Sequence, residues 1–415
     1  MKKILYVLHS GVTGGTFLTN KDLMGNVEKE YEIYLLTAEY NDFRVYKYSE
    51  NELKVIKKYP RHLNINVPIN DSRTDLRIWD AQEFHNSWLS YIYFDILTKF
   101  GIDIVHIRHL INHSFDLPQV AKKLDIPVML SFHDFYFICP FYVLLDENNQ
   151  YCAGNCNSSG DNCYCPMESL QNIQSKEVIS KWRENVLEMF SYVDYFVTTS
   201  EIVKKLFLDI YDDNSIINSD NLKVIEHGRD FPELKKVYYD VPTFEKPIRI
   251  LCPANHLNIM KGSEIIKNIK REDKNGIIEF HFLGNCHDNI EEYGISHGTF
   301  ERDEFFKKVD EIKPSFVGIF SIWPETFCHT LTEAWSCGIP VIGTNIGVIE
   351  DRIMKNNGGW VIDRNNPKMI YSLLEGIVKS DQYLEMVGNV SKINLKDTKA
   401  MASEYLKIYN LMLKK

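Results

Sequence analysis

Two acidic residues, Glu325 and Glu333, stand eight positions apart in the run PETFCHTLTEA from Pro324 to Ala334. Gly338, Pro340 and the apolar pair Val341-Ile342 follow. The pattern reads as a loop, a short helix, a glycine stop and a strand, with Glu325 in the loop and Glu333 inside the helix. Were the whole stretch helical, the two α-carbons would lie ~12 Å apart along the axis. Glycosidases hold two carboxylates about 5 to 9.5 Å apart across one bond. The wider pair here suits the two ends of an elongated ligand, and a nucleotide-sugar is such a ligand. The helix start between the acids, at Cys328, His329, Thr330 and Leu331, offers backbone N–H groups and a positive dipole end to a diphosphate.

Alternating strands and helices must position this segment. In the first half, Ile4–Leu8, Ile33–Thr37, Ile104–Ile107 and Val128–Phe132 read as short apolar strands. Phe17–Val27, Ala81–Phe100 and Leu117–Leu124 read as helices between them. In the second half, strands at Ile248–Cys252, Ile278–Leu283, Phe316–Phe320 and Val341–Gly343 repeat the scheme, with a helix opening at Lys261. Such alternation predicts an α/β chain of two doubly wound, Rossmann-like domains with parallel sheets covered on both faces. The polar, proline-bearing run Arg229–Pro247 marks the boundary. The expected domains are 1–235 and 236–397, followed by a helix over 398–415. Open sheets bind ligands beyond the carboxyl ends of their strands, so a cleft between the domains is the expected active site.

The chain of 415 residues has a formal net charge of −10 and no long basic block, which argues against nucleic acid as its partner. The apolar run at Lys2–His9 is too short for a signal peptide and reads as a buried strand. No stretch reaches transmembrane length without charges. A cytoplasmic protein, at most peripheral at the inner face of a membrane, is therefore expected. The mixed stretch LKVIKKY from Leu53 to Tyr59 is a candidate contact for anionic lipid, and equally a solvated strand or helix face.

Three further groups have residue types fit for a site. Gly14 and Gly15 follow the first strand and open a helix, where a backbone can approach a phosphate or sugar; an ordinary turn reads as well. They do not form the dinucleotide fingerprint, which disfavours a dehydrogenase. Lys261 precedes a helix and can stabilise charge on a leaving diphosphate; surface lysines also occupy such positions. Of nine cysteines, Cys139, Cys152, Cys156, Cys163 and Cys165 crowd the excursion 139–166. Their spacing is C-x3-C then C-x-C, and a structural zinc and unbound thiols both fit.

The segment Ile319–Val361, with its Glu-x7-Glu element, resembles the retaining glycosyltransferases of family GT4, which have the GT-B fold. The resemblance extends over almost the whole chain. It implies that Glu325 contacts the donor sugar and Glu333 the ribose hydroxyls. It implies that His133, in His133-Asp134, lies close to the reacting sugar. Asp103–His109 resembles the family's Asp-Val-Val-His-x-x-His strand, in which His106 and His109 read as hydrogen-bonded core residues. His297-Gly298 is similar to a His-Gly element whose backbone meets the nucleotide. Asn255 falls where the family commonly has an arginine that joins Lys261, so a charge and a bidentate fork are missing there. His256 and Arg302 are candidates to compensate.

The implied reaction moves a sugar from a nucleotide-diphosphate donor to an acceptor hydroxyl with retention, needing no catalytic metal or cofactor. The family's habit suggests a glycan, glycolipid or glycoprotein acceptor in surface polysaccharide synthesis. Alternatives are a GT-B-fold epimerase or phosphorylase, and an inactive subunit that binds sugar nucleotides.

Overall fold

The computed structural model describes residues 1–10, 15–39, 42–60, 84–140, 142–146, 148–155, 175–212, 215–231, 240–302 and 304–414. The chain divides into two units. The first contains Met1–Glu147, Cys152–Asp230 and Lys396–Lys415, and the second Asn148–Tyr151 and Phe231–Leu395.

The first unit runs β1 (Lys2–Leu8), α1 (Gly15–Val27), β2 (Tyr31–Ala38), β3 (Asp42–Ser49), β4 (Glu52–Pro60), α2 (Ser87–Phe100), β5 (Ile104–Ile107), α3 (Asp116–Lys123), β6 (Val128–Ser131), α4 (Ser175–Phe190), β7 (Tyr195–Thr198), α5 (Glu201–Tyr211) and β8 (Leu222–Val224). Its sheet has the order β4-β3-β2-β1-β5-β6-β7-β8. The strands from β2 to β8 in that order are parallel, whereas β3 and β4 pair antiparallel at the edge. β5 and β6 are buried at every position, which is why they read as unbroken apolar runs rather than alternating ones.

The second unit runs β9 (Ile248–Leu257), a 3-10 turn (Ile259–Lys261), α6 (Ser263–Glu272), β10 (Ile278–Cys286), β11 (Ile295–Ser296), α7 (Phe305–Ile312), β12 (Phe316–Ile319), α8 (His329–Ser336), β13 (Val341–Thr344), α9 (Gly347–Asn356), β14 (Gly359–Ile362), α10 (Met369–Val378) and α11 (Gln382–Val390). Its sheet is parallel throughout, in the order β11-β10-β9-β12-β13-β14. Strand order reverses between β9 and β12, so the loops leaving these two strands flank the crevice where such sheets take ligands.

The last helix, α12 (Thr398–Met412), belongs to the first unit. Asp397 caps it by accepting from the Ala400 N–H, and Asp230 accepts from both the backbone and the hydroxyl of Thr398. Its Met401, Ala402, Tyr405, Ile408 and Tyr409 share a core with Ile4, Tyr6, Leu8 and Met24.

Several boundaries differ from the sequence reading. The antiparallel β3–β4 hairpin was not anticipated, and the Leu53–Tyr59 stretch is its outer strand. Helix α1 begins at Gly15 rather than Phe17. Lys261 does not open a helix: it closes the 3-10 turn, and Gly262 in the left-handed region separates it from α6. No helix among the described residues is long and apolar enough to cross a membrane.

Candidate active site

The site is built at the β9–β12 reversal. β12 ends at Ile319, and the chain then passes through Ser321, Trp323 and Pro324 to Glu325, which is buried. On the other side β9 leads into the 3-10 turn that presents Lys261. The Ile322 N–H donates to the Met260 carbonyl, joining the two loops. At Gly262, with φ of +85°, a Cβ would lie 2.0 Å from the Phe320 carbonyl oxygen. Only glycine lets the turn press this closely on the end of β12. The consequence is a direct ion pair. Lys261 Nζ lies 2.7 Å from Glu325 Oε1, and Ser321 Oγ donates to the same oxygen at 2.7 Å.

Burial would raise the Glu325 carboxyl, but the Lys261 charge and hydrogen bonds from Lys261, Ser321 and Cys328 outweigh it and hold the group below the usual glutamate value. Burial would likewise lower Lys261, and the Glu325 carboxylate reverses this and keeps the ammonium charged. The Lys261 side chain remains about one-third exposed and its ammonium lies over the Trp323 ring, 5.4 Å from the centroid. The pair is therefore charged, with its carboxylate buried and its lysine side reaching the surface.

The backbone between Glu325 and α8 is strained. Glu325 and Cys328 both have positive φ, 47° and 62°, a conformation that costs non-glycine residues stability and clusters at binding sites. Arg352 on α9, which the sequence reading missed, holds this segment. Its Nη1 donates to the Phe327 and Cys328 carbonyls at 2.7 and 3.0 Å, and its Nη2 to Thr332 Oγ1 at 3.0 Å. The guanidinium also stacks 4.0 Å from the Phe327 ring centroid. The signal for it was an arginine one helix beyond the acids, which cannot be told from a surface residue without the tertiary contact.

Helix α8 starts at His329 with no side-chain cap and no acid in its first turn. Its amino end therefore offers backbone dipoles to an anion. Thr330 and His329 are half-buried, Leu331 is in the core, and Glu333 is half-buried one turn along. Thus the structure brings Lys261, Glu325, Cys328 and the start of α8 together, with Glu333 on the same helix.

The remaining candidates are spread more widely. Asn255 is exposed near the end of β9 and makes no side-chain hydrogen bond among the described residues. Its neighbour His256 bonds His287. The His297 ring bonds His281 at 2.8 Å, and the Gly298 carbonyl accepts from the Gly284 N–H, which ties this loop to β10. His133 belongs to the first unit, just beyond β6. Burial and the nearby Arg108 lower it well below the ordinary histidine value, so it is neutral. Gly15 is exposed at the start of α1, and Gly14 lies outside the described residues. Cys139 is buried and Cys152 half-buried, while Cys156, Cys163 and Cys165 lie outside the described residues. Among those described, no group of three or more His, Cys, Asp or Glu side chains is placed to hold a metal ion.

Two parallel-sheet, Rossmann-like units of this kind define the GT-B fold. Residues 306–393, which contain Glu325, α8 and Glu333, match the family model described as glycosyl transferases group 1. No curated protein matches the chain in sequence. Among solved structures, the chain is similar to Anabaena HepE in complex with UDP (TM-score 0.61, 12% identity, covering 99% of this chain and 100% of that one). It is also similar to sucrose-phosphate synthase from Thermosynechococcus elongatus (TM-score 0.64, 12% identity, 100% of both chains). A glycosyltransferase from Rickettsia africae gives a TM-score of 0.63 at 16% identity, covering 100% of this chain and 99% of that one.

Proposed function

We propose that this chain is a retaining glycosyltransferase of the GT4 type that moves a sugar from a nucleotide-diphosphate sugar to an acceptor hydroxyl. The observation that carries the reading is the Lys261–Glu325 pair, set beside the uncapped start of α8 within a segment that matches the group 1 family model. That three relatives in fold include a UDP complex supports a nucleotide donor.

In this reading the donor diphosphate lies against the start of α8, where Lys261 and the N–H groups near Cys328 to Leu331 stabilise the charge that grows as the sugar leaves. Lys261 gains a phosphate partner, and Glu325 turns its acceptor oxygens to the sugar hydroxyls. Glu333 takes the ribose hydroxyls, four residues into the same helix. The leaving phosphate accepts the proton of the attacking hydroxyl on the same face of the sugar, which gives retention without a covalent enzyme intermediate. His133, kept neutral, donates or accepts a hydrogen bond at the sugar. The acceptor is a glycan, glycolipid or glycoprotein.

Glu325→Ala and Glu333→Ala test the assignment. Both should cut transfer severely while the fold persists, and full activity in both rejects it. Screening UDP-, GDP- and ADP-sugars for a rise in Tm identifies the donor. An inactive donor-binding subunit is the second reading, favoured by the uncharged, exposed Asn255. Donor binding with neither transfer nor hydrolysis would establish it.

A further inference from the structure

The carboxyl end of the first unit's sheet carries positive and imidazole groups that no role above fully uses. Strand order reverses there between β1 and β5, the position where open α/β sheets bind ligands. His9 follows β1, Arg108 and His109 follow β5, His133 follows β6, and His227 lies beyond β8. The His133 and His227 rings stack with centroids 5.4 Å apart, and His9 meets His109 at 4.8 Å. Arg108 and His133 leave the adjacent strands β5 and β6, and His227 stacks on His133, so the three stand at one end of the sheet; burial lowers His133, and both Arg108 and His227 add to the lowering. Asp134 is the carboxylate among these contacts, and it is engaged: it accepts from His109 at 2.9 Å and from the Tyr136 N–H at 2.9 Å.

Arg108 is the unbalanced member. Its side chain is fully buried. Nη1 donates to Tyr405 Oη at 3.0 Å and more weakly to Ser131 Oγ at 3.4 Å. Nε and Nη2 are buried with no hydrogen-bond partner among the described residues, and no carboxylate there pairs with the guanidinium. His106 does not help, since its two nitrogens are taken by Tyr409 Oη and Ser131 Oγ. A buried charge without a counter-ion is strongly destabilising. Nε and Nη2 are moreover the two nitrogens on one side of the guanidinium, the fork that meets two oxygens of a phosphate or carboxylate.

We infer that the first unit holds an anion-binding site, with the Arg108 fork taking two oxygens of a phosphate or carboxylate and with His133 and His227 beside it. The Arg108 fork has no part in the donor contacts proposed above, although His133 is shared with them. The assignment of its source rests on the glycosyl-transfer reading: the anion is a charged group on the acceptor, or a phosphate of the donor.

Thermal melts of the intact chain test this, in sodium phosphate against sodium chloride at matched ionic strength. Phosphate should raise the Tm of the native protein in a concentration-dependent way. Arg108→Met should abolish that rise and Arg108→Lys should reduce it, because lysine keeps the charge and lacks the fork. In phosphate-free buffer, Arg108→Met should lower the Tm only slightly, since losing the contacts with Tyr405 and Ser131 is offset by removing a buried charge that no carboxylate among the described residues pairs. No phosphate-specific rise in the native protein, or an undiminished rise in either variant, overturns the site. So does a large fall in Tm for Arg108→Met without phosphate, which would make the arginine structural. Should the methionine variant fail to fold, the lysine variant and the native titration decide. With whichever of UDP, GDP and ADP stabilises the protein at saturation, a phosphate rise that adds to the nucleotide rise assigns the site to the acceptor, and one that vanishes assigns it to the donor. Absence of any rise with UDP, GDP or ADP in the native protein would sink the donor reading and leave the anion site standing.

Discussion

Lys261 and Glu325, 64 residues apart in the chain, meet at 2.7 Å as an ion pair in which the carboxylate is buried and the ammonium one-third exposed. Each keeps the other charged. In the proposed reaction the pair is a resting arrangement, and the donor separates it by giving the lysine a phosphate and the glutamate a sugar.

Replacing Lys261 by Ala should therefore have two effects. Transfer should fall by about 100-fold or more, the size seen when one charge-stabilising donor is removed. Stability should fall by about 1–3 kcal/mol, since the buried Glu325 loses its counter-ion; the exposed lysine keeps the figure modest. Turnover assays and urea melts measure the two separately. Unchanged turnover would remove Lys261 from the mechanism.

Acid should weaken the fold through Glu325. Its carboxyl is held below the ordinary glutamate value in the folded state, because the lysine and three hydrogen bonds outweigh burial. Stability from this group is present above the unfolded value of about 4.3 and is lost as pH falls through the lower folded value. The urea midpoint of the native chain should drop more steeply below that pH than the midpoint of Glu325→Gln, which lacks the titrating group. Parallel curves would show that Glu325 is not stabilised by its partners.

Gly262→Ala should disturb the pair without touching it. A Cβ there meets the Phe320 carbonyl oxygen at 2.0 Å, and φ is +85°. The expected loss is about 2 kcal/mol or more, with a parallel loss of donor binding as the turn carrying Lys261 moves. A melt and a UDP titration check both, and a variant with native values in each would contradict the packing described.

Arg352→Lys should loosen the segment before α8. The substitution keeps the charge and loses the fork that spans Phe327, Cys328 and Thr332. Donor KM should rise about tenfold, equal to about 1.4 kcal/mol, with faster amide exchange at residues 326–330. Native exchange rates there would show that other contacts hold the loop.

Tyr409→Phe offers a contrast in the first unit. The hydroxyl bonds His106 Nδ1 at 2.6 Å and Tyr6 Oη at 3.1 Å, all buried. Its loss should cost about 1–3 kcal/mol by leaving buried partners unsatisfied, while the UDP-induced rise in Tm stays. A lost UDP response would mean that α12 also shapes the donor site.

Fold class was legible in one dimension for a physical reason. A strand buried on both faces reads as a short apolar run, as in IVHI of β5 and FVGI of β12, and the helix start at His329 follows a loop ended by local chemistry. The β3–β4 hairpin escaped because DFRVYKYS and ELKVIKKYP mix charged and apolar residues, β4 is an exposed edge strand, and the pairing of β3 with β2 and β4 depends on contacts the one-dimensional pattern does not show.

The sequence alone determined which chemistry was available: two acids eight positions apart, a lysine read as opening a helix, histidines after strands. Only the tertiary structure decided who meets whom. It paired Lys261 with Glu325 across 64 residues, set Arg352 under the loop, and buried Arg108 with no carboxylate paired to it among the described residues. Ion pairs and unmatched charges arise from distances between segments remote in the chain, and those distances exist only once the strand order of each sheet is set.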